Sequence, residues 1–101
     1  MISGNYTYTT KTAATTDEAG VAAAHGLRLM GYSIAERAAG AATVDICHGA
    51  AAGTIVQYEN LAASSSVARW FGPQGLPVPN GVWIERVSGN TAVVLITIRD
   101  T

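Results

Sequence analysis

The chain has 101 residues, a formal net charge of −1, and six Lys or Arg scattered singly at positions 11, 28, 37, 69, 86 and 99. That excludes the basic face needed to grip nucleic-acid phosphates, and no run of about 20 apolar residues is present to span a bilayer. Charged residues make up 13% of the chain, about half the usual share, so a free monomer would repel its neighbours weakly and part of the surface is expected to be covered by copies or a partner.

A chain of this length fits one domain and buries roughly 60–68% of its unfolded surface. Cys47 is single, which rules out an internal disulfide and fits a reducing compartment or no redox constraint. The N-terminus lacks a charged segment followed by an apolar run, so no signal peptide is expected. The Asn5-Tyr6-Thr7 sequon has meaning only in a secreted eukaryotic protein.

Residues 1–10, MISGNYTYTT, are rich in strand-forming Tyr and Thr. In an extended chain Tyr6 and Tyr8 share one face, and the segment reads as an N-terminal arm or edge strand. Residues 11–25, KTAATTDEAGVAAAH, read as a loop or linker. Asp17-Glu18 can open a short helical turn behind Thr15 or Thr16, but Gly20 interrupts it. The domain division expected is arm and linker over 1–25 and a β-sandwich over 26–101.

Leu27–Glu36 is the first strong strand. Leu27 and Leu29 fall on one face and Met30, Tyr32 and Ile34 on the other, so the phase changes near Gly31, where a bulge is expected. Thr43–His48 and Thr54–Glu59 alternate as two more strands, separated by the Gly49–Gly53 turn. In Arg69–Glu85, RWFGPQGLPVPNGVWIE, Val67, Arg69 and Phe71 alternate with Ala68 and Trp70 before Gly72-Pro73 stops the run. Phe71 and one tryptophan are expected in the core, leaving the other ring and the Gly72–Gly81 loop for a neighbouring subunit. Ser88-Gly89-Asn90 makes a tight turn. Thr91–Arg99 is apolar on both faces, as a central or covered strand must be. Short, turn-punctuated strands with little helix indicate an all-β antiparallel sandwich or jelly-roll-like barrel.

Chemistry is sparse. Cys47 and His48 are adjacent on a strand, point to opposite faces and cannot share a metal. Cys47 reads as a small buried hydrophobe and His48 as a strand-end residue. Ser64-Ser65-Ser66 lacks the Gly-x-Ser-x-Gly elbow, and no Gly-rich loop ends in Lys-Ser/Thr. Asp45, Glu59 and Glu85 lie on different strands, nothing in the sequence pairs them, and exposed strand faces account for them. Trp70, Phe71 and Trp83 offer rings for stacking a sugar, but such rings more often belong to a core. No catalytic, cofactor or metal residue is identified.

Two segments carry a resemblance: Gly26-Leu27-Arg28-Leu29-x-Gly31, and the W-F-G-P-x-G-x-x-V-x-x-G-V pattern from Trp70 to Val82. Together with the strand order over residues 26–98 they resemble small β-sandwich virion proteins of tailed bacteriophages. The resemblance implies a non-enzymatic structural protein, foremost a capsid decoration (cement) protein that binds the major capsid protein and copies of itself, by analogy as a trimer. It would be made in the bacterial host cytoplasm and end on the outer capsid surface, without nucleic-acid or membrane partners. Tyr6, Tyr8, Pro73, Leu76, Pro77 and Pro79 are the partner-binding residues this implies. The alternatives are a tail, baseplate or fibre component, or a carbohydrate-binding β-sandwich module.

Overall fold

Alternation of apolar and polar residues dictates strands, and the described residues of the computed structural model, 6–50 and 53–99, form nine of them and no helix. In chain order they are β1 Thr7–Ala14, β2 Glu18–Val21, β3 Leu27–Glu36, β4 Ala42–His48, β5 Thr54–Leu61, β6 Ser66–Trp70, β7 Leu76–Pro77, β8 Val82–Ser88 and β9 Thr91–Arg99. The Asn5 sequon and the middle of the Gly49–Gly53 turn lie outside the described residues. A larger sheet has the order β1-β9-β3-β6, with β7 also paired to β3, and a smaller sheet has the order β2-β8-β4-β5. All pairings are antiparallel, and the two sheets pack as a β-sandwich. The chain crosses between sheets at both edges: β1 leads to β2 at one, and β5 leads to β6 at the other.

The core lies between the sheets. β3 supplies Leu27, Leu29, Tyr32 and Ile34, β4 supplies Val44 and Ile46, β8 Val82 and Ile84, and β9 Val93 and Leu95. β9 sits between β1 and β3, which explains why it is apolar on both faces. The phase change in β3 is a bulge. Leu29 faces Thr97 across the ladder and Gly31 faces Ile96, so Met30 is the extra residue. Without that insertion, the Leu27–Leu29 half and the Tyr32–Ile34 half of the strand would face opposite sides.

Residues 11–25 depart from the loop or linker expectation. They complete β1, which pairs with β9, and form β2, which pairs with β8. Alanine and threonine carry a weak strand signal, and the pairing partners supply what the local sequence lacks. The arm, over its described residues, is therefore part of both sheets rather than a tether ahead of them. Nor does Asp17-Glu18 open a helical turn. Asp17 Oδ1 accepts the Arg86 backbone N–H at 2.9 Å, and Glu18 pairs with the Arg86 guanidinium. Gly20 faces inward, where a Cβ would collide with the Leu95 side chain.

The aromatic stretch also divides differently from expectation. Phe71 packs on the core, with its ring 5.8 Å from that of Tyr32. Neither tryptophan joins it. Trp83 is half-buried on the outer face of the smaller sheet, and Trp70 is 55% exposed on the outer face of the larger one. Val78, between Pro77 and Pro79, is the loop residue that fills the interior, at 1% exposure.

Gly31 lets Trp70 lie across the sheet, since a Cβ there would strike the Arg69 carbonyl oxygen and crowd the indole. Gly31→Ala is expected to destabilise the fold by about 2 kcal/mol, the usual scale for overpacking. Urea denaturation of the variant against wild type measures this, and an unchanged midpoint would refute the close approach.

Candidate docking surfaces

Of the buried charged side chains, Glu36, Glu59 and Arg86 have structural partners. Glu59, on the core-facing side of β5, is 4% exposed. It accepts hydrogen bonds from the Tyr32 hydroxyl and from Arg69, whose Nε and Nη2 reach its two carboxylate oxygens at 2.7 and 3.1 Å. This ties β3, β5 and β6 together at the edge where β5 leads to β6. The Arg69 hydrogen bonds hold the Glu59 carboxyl below its ordinary value, against burial, which raises it. Burial, then the bond to Glu59, pushes the Tyr32 hydroxyl up, so it stays protonated. Glu36 accepts the backbone N–H groups of Ser64 and Ala38, which lower its pKa. Arg86 is buried and donates to Thr91 Oγ1 at 3.1 Å, to the Thr16 carbonyl at 2.9 Å, and to Glu18.

The outer face of the larger sheet has a different character. Its register aligns Tyr8, Ile96, Gly31 and Trp70 in one row and Thr10, Val94, Ser33 and Ala68 in the next. Ala92, Ala35 and Ser66 form a third. None of these is charged. Tyr8 and Trp70 stand 65% and 55% exposed, and the Tyr6 ring meets Trp70 edge-on at 6.0 Å. Monomers rarely leave such a face open.

The outer face of the smaller sheet is apolar with an acidic centre. Ala19, Trp83, Cys47 and Ile55 form one row, and Glu85, Asp45 and Tyr58 the next. Asp45 and Glu85 are thus direct cross-strand neighbours, a pairing set by the β4–β8 register and invisible in either strand alone. Asp45 and Glu59 are also buried, contrary to the expectation of exposed strand faces. Cys47 is buried as expected, and its thiol is pushed up by burial and then by Glu85, Asp45 and Asp17. His48 accepts the Asn80 backbone N–H on Nε2 at 3.2 Å.

The six residues expected to bind a partner fall into two places. Tyr6 and Tyr8 lie with Trp70, which alternation with Phe71 places on the outer face. Pro73, Pro77 and Pro79 are exposed and Leu76 is half-buried, all in the segment between β6 and β8, of which Leu76 and Pro77 are β7. Pro77 and Pro79 line a groove of about 210 Å³ with His25, Gly26, Leu27 and Arg28. Among the described residues, no three His, Cys, Asp or Glu side chains come together as metal ligands.

No protein-family model matches the chain, and no curated protein does. A solved structure from Bacillus endospore appendages, described as disulfide-linked pili, is similar over 96% of this chain and 85% of its own, with 22% identity and a TM-score of 0.53. At that identity the likeness speaks for the fold alone.

Glu59 and Glu36 make stability depend on pH. Their folded pKa values are depressed. The stability they contribute is therefore present above the unfolded value of about 4.3 and is lost as pH falls through the folded values. The urea midpoint is expected to fall between pH 6 and pH 3. Glu59→Gln is expected to lower stability at pH 7 by about 1–3 kcal/mol and to flatten the acid slope. An acid slope identical to wild type would remove Glu59 from this role.

Proposed function

We propose that this protein is a non-enzymatic structural subunit that works by packing the outer face of its larger sheet into a supramolecular assembly. The observation that carries this reading is the uncharged face bearing Tyr8 and Trp70. Within that class, the resemblance of residues 26–98 supports a capsid decoration protein that docks on the shell of a tailed phage.

Magnitudes favour many weak contacts over one strong one. The exposed parts of Tyr6, Tyr8 and Trp70 offer on the order of 300 Å², or about 7 kcal/mol at about 25 cal/mol per Å². Losing translational and rotational freedom costs about 4–15 kcal/mol. A single contact is marginal, whereas many copies held side by side gain by multivalency.

The fold likeness to an endospore pilus protein supports a second reading, a filament subunit. A chain linked covalently through disulfides requires two accessible thiols per subunit, and these 101 residues contain one, buried. A filament of these residues would be noncovalent. A carbohydrate platform is less well supported, because the rows around Trp70 offer only small hydroxyls to a sugar's polar groups.

Co-sedimentation with phage capsids lacking this chain tests the proposal. The wild type is expected to pellet with them. The Tyr8→Ser/Trp70→Ser variant is expected to remain in the supernatant, with its far-ultraviolet circular dichroism unchanged. A folded variant that pellets as wild type does would overturn docking through this face. A wild type that forms fibres alone and ignores capsids would favour the filament.

A further inference from the structure

Glu36 ends β3 and is 6% exposed. Its carboxylate gathers two turns that are remote in the sequence. Oε1 accepts the Ser64 N–H at 2.7 Å, and Oε2 accepts the Ala38 N–H. The Glu36 backbone N–H also donates to the Ser65 carbonyl at 2.9 Å. The turn over 37–41, between β3 and β4, therefore meets the turn over 62–65, between β5 and β6, at one side chain. Ser65 closes its own turn by donating its N–H and hydroxyl to the Ala62 carbonyl, but those bonds do not tie the turn to β3.

Both turns are strained. Ala39 has φ of 57° and Ser64 has φ of 59°, and these are the two non-glycine residues with positive φ among the described residues. A Cβ makes that conformation costly, so it persists where its surroundings enforce it. The carboxylate enforces it through Ser64 itself and through Ala38, the neighbour of Ala39. The turns also close one end of the core. Ala42 follows the first turn and Leu61 precedes the second; the two pair across the β4–β5 ladder and are buried.

The residues that face Glu36 are uncharged: Thr91 from β9, residues 60–66 from the second turn and its flanks, and residues 88–90 from the β8–β9 turn. The charged groups beyond them are Arg37, next in the chain and exposed, and Arg86, which donates to Thr91 and is held by Glu18. The Ser64 N–H, then that of Ala38, holds the Glu36 carboxyl below its ordinary value against burial, with the Gly40 and Ala39 amides adding to them.

We propose that Glu36 is an acid-sensitive clamp: its carboxylate holds both strained turns closed, and protonation releases them together while the two sheets stay paired. A protonated carboxyl turns an O–H donor toward backbone N–H donors and cannot serve both turns. Release lets Ala39 and Ser64 leave the left-handed region and uncovers Ala42 and Leu61. The folded pKa is lowered, so the clamp is complete above the unfolded value of about 4.3 and is lost as pH falls through the folded value. The clamp does not rest on the docking reading, and either can fail alone.

Amide-resolved NMR on the purified chain, titrated from neutral pH into acid, tests it. The Ala38 and Ser64 amide shifts are expected to move with one midpoint, below about 4.3 and shared with the Glu36 carboxyl carbon. Hydrogen-exchange protection at both amides is expected to fall about tenfold or more through that midpoint, while the Ile34 and Leu95 amides keep theirs. Glu36→Gln, a neutral isostere, is expected to cost the same two amides their protection at pH 7 and to abolish the midpoint. Adding Ala39→Gly and Ser64→Gly to that variant is expected to return part of the protection, because glycine adopts positive φ freely. Four results overturn the proposal: separate midpoints for the two turns, a Glu36→Gln variant that exchanges as wild type does, glycines that return nothing, or core amides that lose protection at the same pH as the turns. If Glu36→Gln does not fold, the wild-type titration decides by itself.

Discussion

The bulge at Met30 is the constraint on which the rest of the structure depends. β3 runs between β9 and β6 in the larger sheet and contributes more core side chains than any strand named above. One extra residue puts Leu27 and Leu29 on the same side as Tyr32 and Ile34. It also turns Gly31 outward, and the missing side chain there admits Trp70 across the sheet. The Phe71 backbone N–H donates to the Met30 carbonyl at 2.9 Å, so β6 ends where the bulge sits. Phe71 then turns in against Tyr32 while Trp70 remains outside. Core filling and the aromatic patch on the outer face follow from the same insertion.

Charge is sorted by layer. Inside, Glu59 holds Arg69 and the Tyr32 hydroxyl, and Arg86 is held by Glu18, Thr91 and Thr16. Each cluster bonds across different strands, so each fixes the position of an edge: β5 and β6 on one side, β2 on the other. Breaking a buried pair leaves an uncompensated charge, which is why these clusters constrain the fold more than they add net stability. Outside, the larger sheet carries no charge over three rows, and the smaller sheet carries two carboxylates that face each other.

Much of the fold was legible in the sequence because alternation reports burial directly. The strands β3, β4, β5 and β9, the bulge near Gly31 and the inward turn of Phe71 all follow from period-two patterning. β2 was not legible, since Glu18-Ala-Gly-Val has no apolar alternation and is a strand only because β8 pairs with it. Arg86 reads as an ordinary polar position until Asp17 and Glu18 arrive from almost 70 residues away. The Asp45–Glu85 juxtaposition depends on the register between β4 and β8, which neither strand encodes alone. Trp70 on the outer face was legible from its alternation with Phe71, but whether a neighbour's core or open solvent receives it depends on the whole sheet.

The central claim is that the three uncharged rows on the outer face of the larger sheet are an interface. A reconstruction of the assembly that carries this chain, at a resolution that shows side chains, tests it most directly. The account predicts that Tyr8 and Trp70 are covered by a neighbouring protein in every copy, with the β1-β9-β3-β6 sheet turned toward it. A reconstruction in which that face looks out on solvent would contradict it.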